Sequence, residues 1–228
     1  MLQDFEQIER VIIGVDLGQA QDFTAIAGIE VRQRYKPIKI RPGGFEADYG
    51  RYVPDGENYC MIRFLERLPL GTPYPDQVRR VETVFRGVEQ IQRKAPSLVV
   101  DATGCGRPVF DMFKEANLKP KGITIHGGNN VSTVSGLYNV PKRDLVGVLQ
   151  VLFQNGRIKI SGRLPERETL ERELLNFKVK INIKGHDSYE AWRENEHDDL
   201  VLAVAVGCWF SERGFKKVKS FPKDFLGI

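Results

Sequence analysis

The sequence predicts a mixed α/β fold, with one central β-sheet flanked by helices. Three observations carry that expectation. Short β-branched runs recur along the chain, among them Val11–Leu17 (VIIGVDL) and Ser97–Asp101 (SLVVD). Between the later runs lie segments with apolar residues at helical spacing; in Pro75–Lys94, positions 78, 81, 84, 85, 88 and 91 form one stripe. The resulting order is three strands first, then strands alternating with helices, which builds a sheet with helices packed against it.

Taken in turn, Val11–Leu17 reads as a buried strand, and Phe23–Val31, after the turn at Gly18–Gln21, as its neighbour. Arg32–Pro42 is basic and carries Pro37, with Ile38–Arg41 a candidate further strand. Gly43–Asn58, rich in Gly, Asp and Tyr, reads as a loop or irregular insertion. Tyr59–Leu68 is the third main strand, and Pro75 and Asp76 suit the first turn of the helix that follows. Beyond Ser97–Asp101, Arg107–Ala116 reads as a helix, Gly122–His126 as a strand and Gly127–Asn139 as a polar, mobile loop. Pro141 opens a helix to about Gln154, Arg157–Ile160 is a short strand, and Pro165–Asn176 is helical. Phe177–Trp192 alternates as FKVKINI-KGHD-SYEAW and predicts an extra β-hairpin before the last main helix, His197–Arg213. A single domain over residues 1–228 is expected, with its core at 8–213 and a tail at 214–228.

With 228 residues, 41% of them hydrophobic and 28% charged, the chain has the composition of a globular protein able to bury a full core. Its three cysteines, Cys60, Cys105 and Cys208, show no CxxC or Cys-His spacing, which argues against a disulfide framework or structural zinc and suits a reducing compartment. The opening MLQDFEQIERV is no signal peptide, and the longest apolar run, Leu200–Phe210, is too short to span a bilayer, so no membrane partner is expected. A net charge of +4 suits an anionic partner only mildly.

The chemistry sits on carboxylates. Asp16 (GVDLG) and Asp101 (VVDATG) lie at or near the ends of predicted strands, and the Asp198-Asp199 pair begins a helix that is otherwise almost wholly apolar. Mg²⁺ and Mn²⁺ take hard oxygen ligands and keep positions open for water and substrate phosphate. Each carboxylate also has a plain use. Asp16 can cap the turn before Gly18, Asp101 can close a turn or cap a helix, and Asp198 and Asp199 complement a helix dipole by ~0.3–1 kcal/mol. Adjacent helical residues point about 100° apart, so Asp198 and Asp199 cannot occupy equivalent ligand positions.

Together these positions resemble the ribonuclease H-like fold, and within it the nuclease domain of bacteriophage large terminase subunits. The resemblance runs through IIGVDLGQAQDFTAI (12–26), SLVVDATGCGRPVFDMF (97–113), LYNVPKRDLVGVLQVLFQNGRIKI (137–160) and EHDDLVLAVAVGCWF (196–210). It implies a metal-dependent endonuclease that cuts double-stranded DNA during viral genome packaging, with two Mg²⁺ or Mn²⁺ ions held by Asp16, Asp101 and Asp199. Asp198 would assist Asp199, and Asp22 is a further candidate near the metals, or equally the start of a strand. Lys142 and Arg143 in VPKRD, with Lys178, Lys180 and Lys184 of the expected hairpin, are candidates to contact DNA phosphate; solvated basic faces are the plain alternative. The implied partners are DNA, an ATPase motor domain, a portal and a small terminase subunit, in the cytoplasm of an infected bacterial host. No GxxxxGK[ST] phosphate loop is present, so the chain is expected to be an excised or naturally separate nuclease that does not translocate DNA. Two other readings share the sequence features. An actin-like ATPase or sugar-kinase half-domain also opens with a strand, an Asp and a glycine turn, although DATGCG is a poor second phosphate loop. A junction resolvase or transposase core would use the same acidic residues.

Overall fold

The computed structural model describes residues 3–18, 22–40, 47–134, 136–183 and 198–213. The chain runs β1 (Phe5–Asp16), β2 (Ala25–Ile40), β3 (Ala47–Pro54), β4 (Tyr59–Arg67), α1 (Tyr74–Gln92), β5 (Ser97–Asp101), α2 (Gly106–Glu115), β6 (Lys121–His126), β7 (Ser132–Val134), β8 (Leu137–Pro141), α3 (Lys142–Gln154), β9 (Ile158–Ile160), α4 (Arg167–Ile183) and α5 (Asp199–Glu212). The strands form one mixed sheet in the order β7-β8-β6-β5-β1-β2-β4-β9, with β3 on the outer part of β2. The strands β1, β2 and β4 are antiparallel to their neighbours in the meander, whereas β5 joins β1, and β6 joins β5, in parallel.

Strand alternation divides the core in two. Ile13 and Val15 of β1 face Val78, Val81 and Phe85 of α1 and Val109 and Phe113 of α2. Ile12, on the opposite face, packs with α3 (Leu145, Leu149), Leu170 of α4 and nearly all of α5. Apart from Leu202, Phe210 and Glu212, every residue of α5 is buried. A helix apolar all round has to be covered all round, and here the sheet lies on one side and α3 and α4 on the other.

The seating of α5 on β1 is set by two glycines. A Cβ on Gly14 would lie 2.1 Å from the carbonyl oxygen of Ala203, and one on Gly207 would lie 2.6 Å from Cδ1 of Ile29. Where side chains are absent, helix and strand backbones touch. Towards the C-terminus of α5, Arg10 donates to the carbonyl oxygens of Phe210, at 3.3 Å, and Ser211, supplying a cation where the helix dipole is negative. The order of contacts (Arg10 with Ser211, Ile12 with Gly207, Gly14 with Ala203) fixes α5 antiparallel to β1.

Four sequence expectations change. The predicted second strand and the candidate strand after it are one element, β2, whose pairing with β3 shifts register between Pro37 and Lys39. Proline lacks an N–H, and a register irregularity is where a sheet tolerates it. The expected loop over Gly43–Asn58 contains β3, and the expected loop over Gly127–Asn139 contains β7 and the start of β8. Strand β8 forms because Val140 is buried and Tyr138 packs edge-on against Trp209 and Phe210 of α5. The expected hairpin over Phe177–Trp192 fails in its first arm, since α4 continues through Ile183. Nothing between Arg167 and Ile183 is Gly or Pro, and extending a formed helix costs less than starting a new element. The second arm, with Lys184, lies outside the described residues, as does the 214–228 tail.

Gly14→Ala should destabilise the protein by at least about 1–3 kcal/mol, because the added methyl meets backbone rather than a movable side chain. Urea denaturation measures this; an unchanged midpoint would mean that α5 does not rest on β1 as described.

Candidate metal centre

The pairing registers bring two of the sequence-predicted residues, Asp16 and Asp101, to one end of the sheet, and the seating of α5 adds a third, Asp199. Val15 pairs with Val100, so the next residues along these parallel strands, Asp16 and Asp101, end β1 and β5 side by side. Asp16 also pairs with Ala25, and Ala25 with Arg67, so Asp101, Asp16, Ala25 and Arg67 form a row across four strands. Alternation places the row on the face that carries α5. Four residues from Ala203 towards the start of α5 is Asp199, ~6 Å along the helix. Two residues from Gly14 towards the end of β1 is Asp16, ~6.7 Å along the strand. The glycine contact therefore carries Asp199 to Asp16.

Each carboxylate has a distinct setting. Burial pushes the Asp16 pKa well above the usual carboxylate range, and the charges of Asp101, Asp199, Asp198 and Asp22 push it further. Asp101 is buried, and its Oδ1 accepts the Thr103 N–H at 2.8 Å, which is the turn role the sequence also allowed. Thr103 Oγ1 in turn accepts the Ile125 N–H at 2.8 Å, tying that turn to β6. Asp199 is buried in the first turn of α5, whereas Asp198 is the half-buried N-cap residue. Asp22 is exposed. The turn after Asp16 is held by two buried residues. The Gly18 N–H donates to Thr24 Oγ1 at 3.0 Å, and Gln77 of α1 donates to the Gly18 carbonyl at 3.0 Å.

Two residues join the site that sequence reasoning missed. Arg67, at the end of β4, donates to Asp199 Oδ2 at 3.0 Å, lies 3.5 Å from Glu173 Oε1, and stacks its guanidinium 4.1 Å from the centre of the Phe23 ring. Glu173 of α4 is buried, and its Oε2 accepts the Val201 N–H at 3.1 Å, so a carboxylate from another helix satisfies the first turn of α5. Burial raises the Glu173 pKa to about 7; the Val201 N–H and Arg67 pull it down, and Asp199 and Asp198 push it up. A Glu in an ERELL helix, with no partner nearby in sequence, gives no signal of this kind. Its importance follows from where α4 crosses α5.

The basic candidates are placed differently. Lys142 is the half-buried first residue of α3, while Arg143 donates to the side-chain and backbone oxygens of Asn129, at 2.8 and 2.7 Å, bracing the segment after β6. Lys178 and Lys180 lie on α4, and their side chains are outside the described set.

The donor set (hard carboxylate oxygens, in excess over cations among the described residues) matches the chemistry of Mg²⁺ or Mn²⁺. Among the described residues, no three His, Cys, Asp or Glu side chains converge as a ligand group. The hydrogen bond from Arg67 engages one oxygen of Asp199. No helix among the described residues is long and apolar enough to cross a membrane.

No family model and no curated protein matches this sequence. Among solved structures, the chain is similar to the large terminase nuclease from the thermophilic phage G20c, at 18% identity and a TM-score of 0.51, over 87% of this chain and 80% of that one. The fold is ribonuclease H-like. It is similar also to the human cytomegalovirus terminase nuclease domain, at 12% identity and a TM-score of 0.50, over 90% of this chain and 86% of that one. At such identities the likeness is one of fold, and the residues have to carry the rest.

A raised pKa in the folded state means stability that is present when the group is protonated and lost as pH rises through the folded value. In a chelator, the protein should therefore lose on the order of 2 kcal/mol through Glu173 between about pH 4.5 and pH 7. Asp16 contributes with the same sign. Glu173→Gln should flatten that slope in urea titrations across the range; an unaltered slope would remove Glu173 from the account.

Proposed function

We propose that this chain is a divalent-metal-dependent endonuclease that hydrolyses phosphodiester bonds of double-stranded DNA during viral genome packaging. The observation that carries the reading is that Asp16 and Asp101 end neighbouring strands and the seating of α5 brings Asp199 to the same end of the sheet, near enough for both to disfavour the charge of Asp16. A turn role accounts for Asp101, but it does not require carboxylates from three separate elements to lie where two of them disfavour the charge of the third. Asp16, Asp101 and Asp199 would hold two Mg²⁺ or Mn²⁺ ions, which supply activation of water and neutralisation of charge at the phosphate.

The chain's own part is positioning. Gln77 and Thr24 hold the turn beyond Asp16, and Thr103 holds that beyond Asp101. Asp199 is held by α5, with Asp198 and Asp22 adding negative charge at the edge. Lys142, with Lys178, Lys180 and Lys184, would contact the DNA backbone, so binding should be salt-sensitive and weakly selective for sequence. Arg143 serves by bracing the turn at Asn129. The ATPase motor, portal and small terminase subunit of a packaging machine are the partners this reading entails, in the cytoplasm of an infected bacterium.

Plasmid digestion in Mg²⁺ or Mn²⁺ tests the proposal. Asp16→Asn, Asp101→Asn and Asp199→Asn should each lower the rate at least about 100-fold, and Asp198→Asn less. Wild-type cutting by all three single variants would defeat it, and tight ATP binding without DNA cleavage would favour the ATPase reading. Stronger cutting of four-way junctions than of linear duplex would indicate a resolvase. Raising salt from 50 to 200 mM should cut DNA affinity at least about tenfold if several lysines contact phosphate.

A further inference from the structure

The acidic mouth contains its own counter-cation. Arg67 reaches Asp199 Oδ2 at 3.0 Å, and the same Nη2 lies 3.5 Å from Glu173 Oε1. The Arg67 side chain is only 15% exposed, and those of Asp199 and Glu173 are each 6% exposed, so the charges interact with little solvent screening. The three are not equally satisfied. Glu173 Oε2 accepts the Val201 N–H, but among the described residues the buried Oε1 has no hydrogen-bond donor and the buried Arg67 Nε has no acceptor. A donor and an acceptor therefore lie close together, each short of a bond, while Arg67 spends its shorter contact on Asp199.

On the reading that Asp199 is a metal ligand, we infer that Arg67 competes with the divalent ion for Asp199, and that Glu173 is the acceptor that takes the guanidinium over when the ion binds. The unused capacity of Glu173 Oε1 and Arg67 Nε is what the exchange would fill. Phe23, against the face of the guanidinium, keeps the side chain in the pocket in either state. The exchange balances charge. With Asp199 on Arg67, the guanidinium offsets one carboxylate of an acidic group; with Asp199 on the ion, Arg67 and Glu173 neutralise each other. Arg67 is thus a positioning residue that acts through Asp199. It would keep metal affinity low in the free protein, although the mouth is rich in carboxylates.

The competition differs from a diffuse electrostatic effect in one respect. A distant charge would shift ion affinity by the same factor in any background, whereas Glu173 should matter only while Arg67 is present. The test is titration of the metal-free, full-length protein with Mn²⁺ alone, reading free Mn²⁺ by electron paramagnetic resonance. Arg67→Gln should tighten binding at least tenfold, and that gain should vanish in Arg67→Gln/Asp199→Asn. Glu173→Gln keeps an acceptor for the Val201 N–H; it should weaken binding at least threefold in the wild-type background and less than twofold beside Arg67→Gln. Urea denaturation checks that each variant is folded. If Arg67→Gln folds and binds Mn²⁺ no tighter than wild type, or if Glu173→Gln weakens binding equally in both backgrounds, the competition is overturned. Should Arg67→Gln not fold, Glu173→Gln alone decides, and unchanged affinity there also overturns it. Wild-type binding that depends on Asp16 and Asp199 would leave the metal reading standing in any of those cases. No saturable binding in any variant, or binding indifferent to Asp16→Asn and Asp199→Asn, would bring down both.

Discussion

The site depends on one backbone contact, between Gly14 of β1 and the Ala203–Gly207 stretch of α5. Helices usually stand off a sheet by the thickness of their side chains. Here two missing side chains let the main chains meet, and the rest of α5 is positioned by that meeting. Arg10 holds its C-terminal end, Glu173 satisfies its first turn, and the apolar faces of α3 and α4 close over it. The buried Val and Leu side chains of α5, at ~1.5–3 kcal/mol each, supply the adhesion that holds a carboxylate at a mouth crowded with others.

That crowding is a source of strain in the electrostatic sense. Asp16 sits among like charges and is driven towards its neutral form, and Glu173 is driven the same way by burial. A protein shaped only for stability would thin out such carboxylates or match each with a cation. One guanidinium, laid over Phe23, is shared between two of them. Breaking a buried pair by removing one partner leaves the other charge uncompensated, so losing Arg67 would cost more than losing a surface arginine.

Much of this was legible in the sequence. The strand ends at Asp16 and Asp101 and the apolar helix after Asp199 follow from local pattern, because strand and helix periods are properties of neighbouring residues. The long β2 was half legible: Pro37 marked a break in a ribbon that only β3 completes. The Phe177–Ile183 segment misled because alternation over seven residues fits a strand as well as the end of a helix, and the preceding helix decided between them. Arg67 and Glu173 were not legible. Their roles arise where β4 ends beside β2 and where α4 crosses α5, and no spacing in the chain encodes either crossing.

The antiparallel seating of α5 on β1 has a consequence for how such a chain can vary. Replacing apolar residues along α5 changes volume, and volume can be absorbed by repacking. Changing the count of residues cannot be absorbed in that way. One residue inserted between Gly14 and Asp16 turns the carboxylate to the opposite face of the sheet. One inserted between Asp199 and Ala203 rotates that carboxylate by about 100° around the helix. The intervals of two residues on the strand and four on the helix are thus set by geometry in a way that the side-chain volumes along α5 are not.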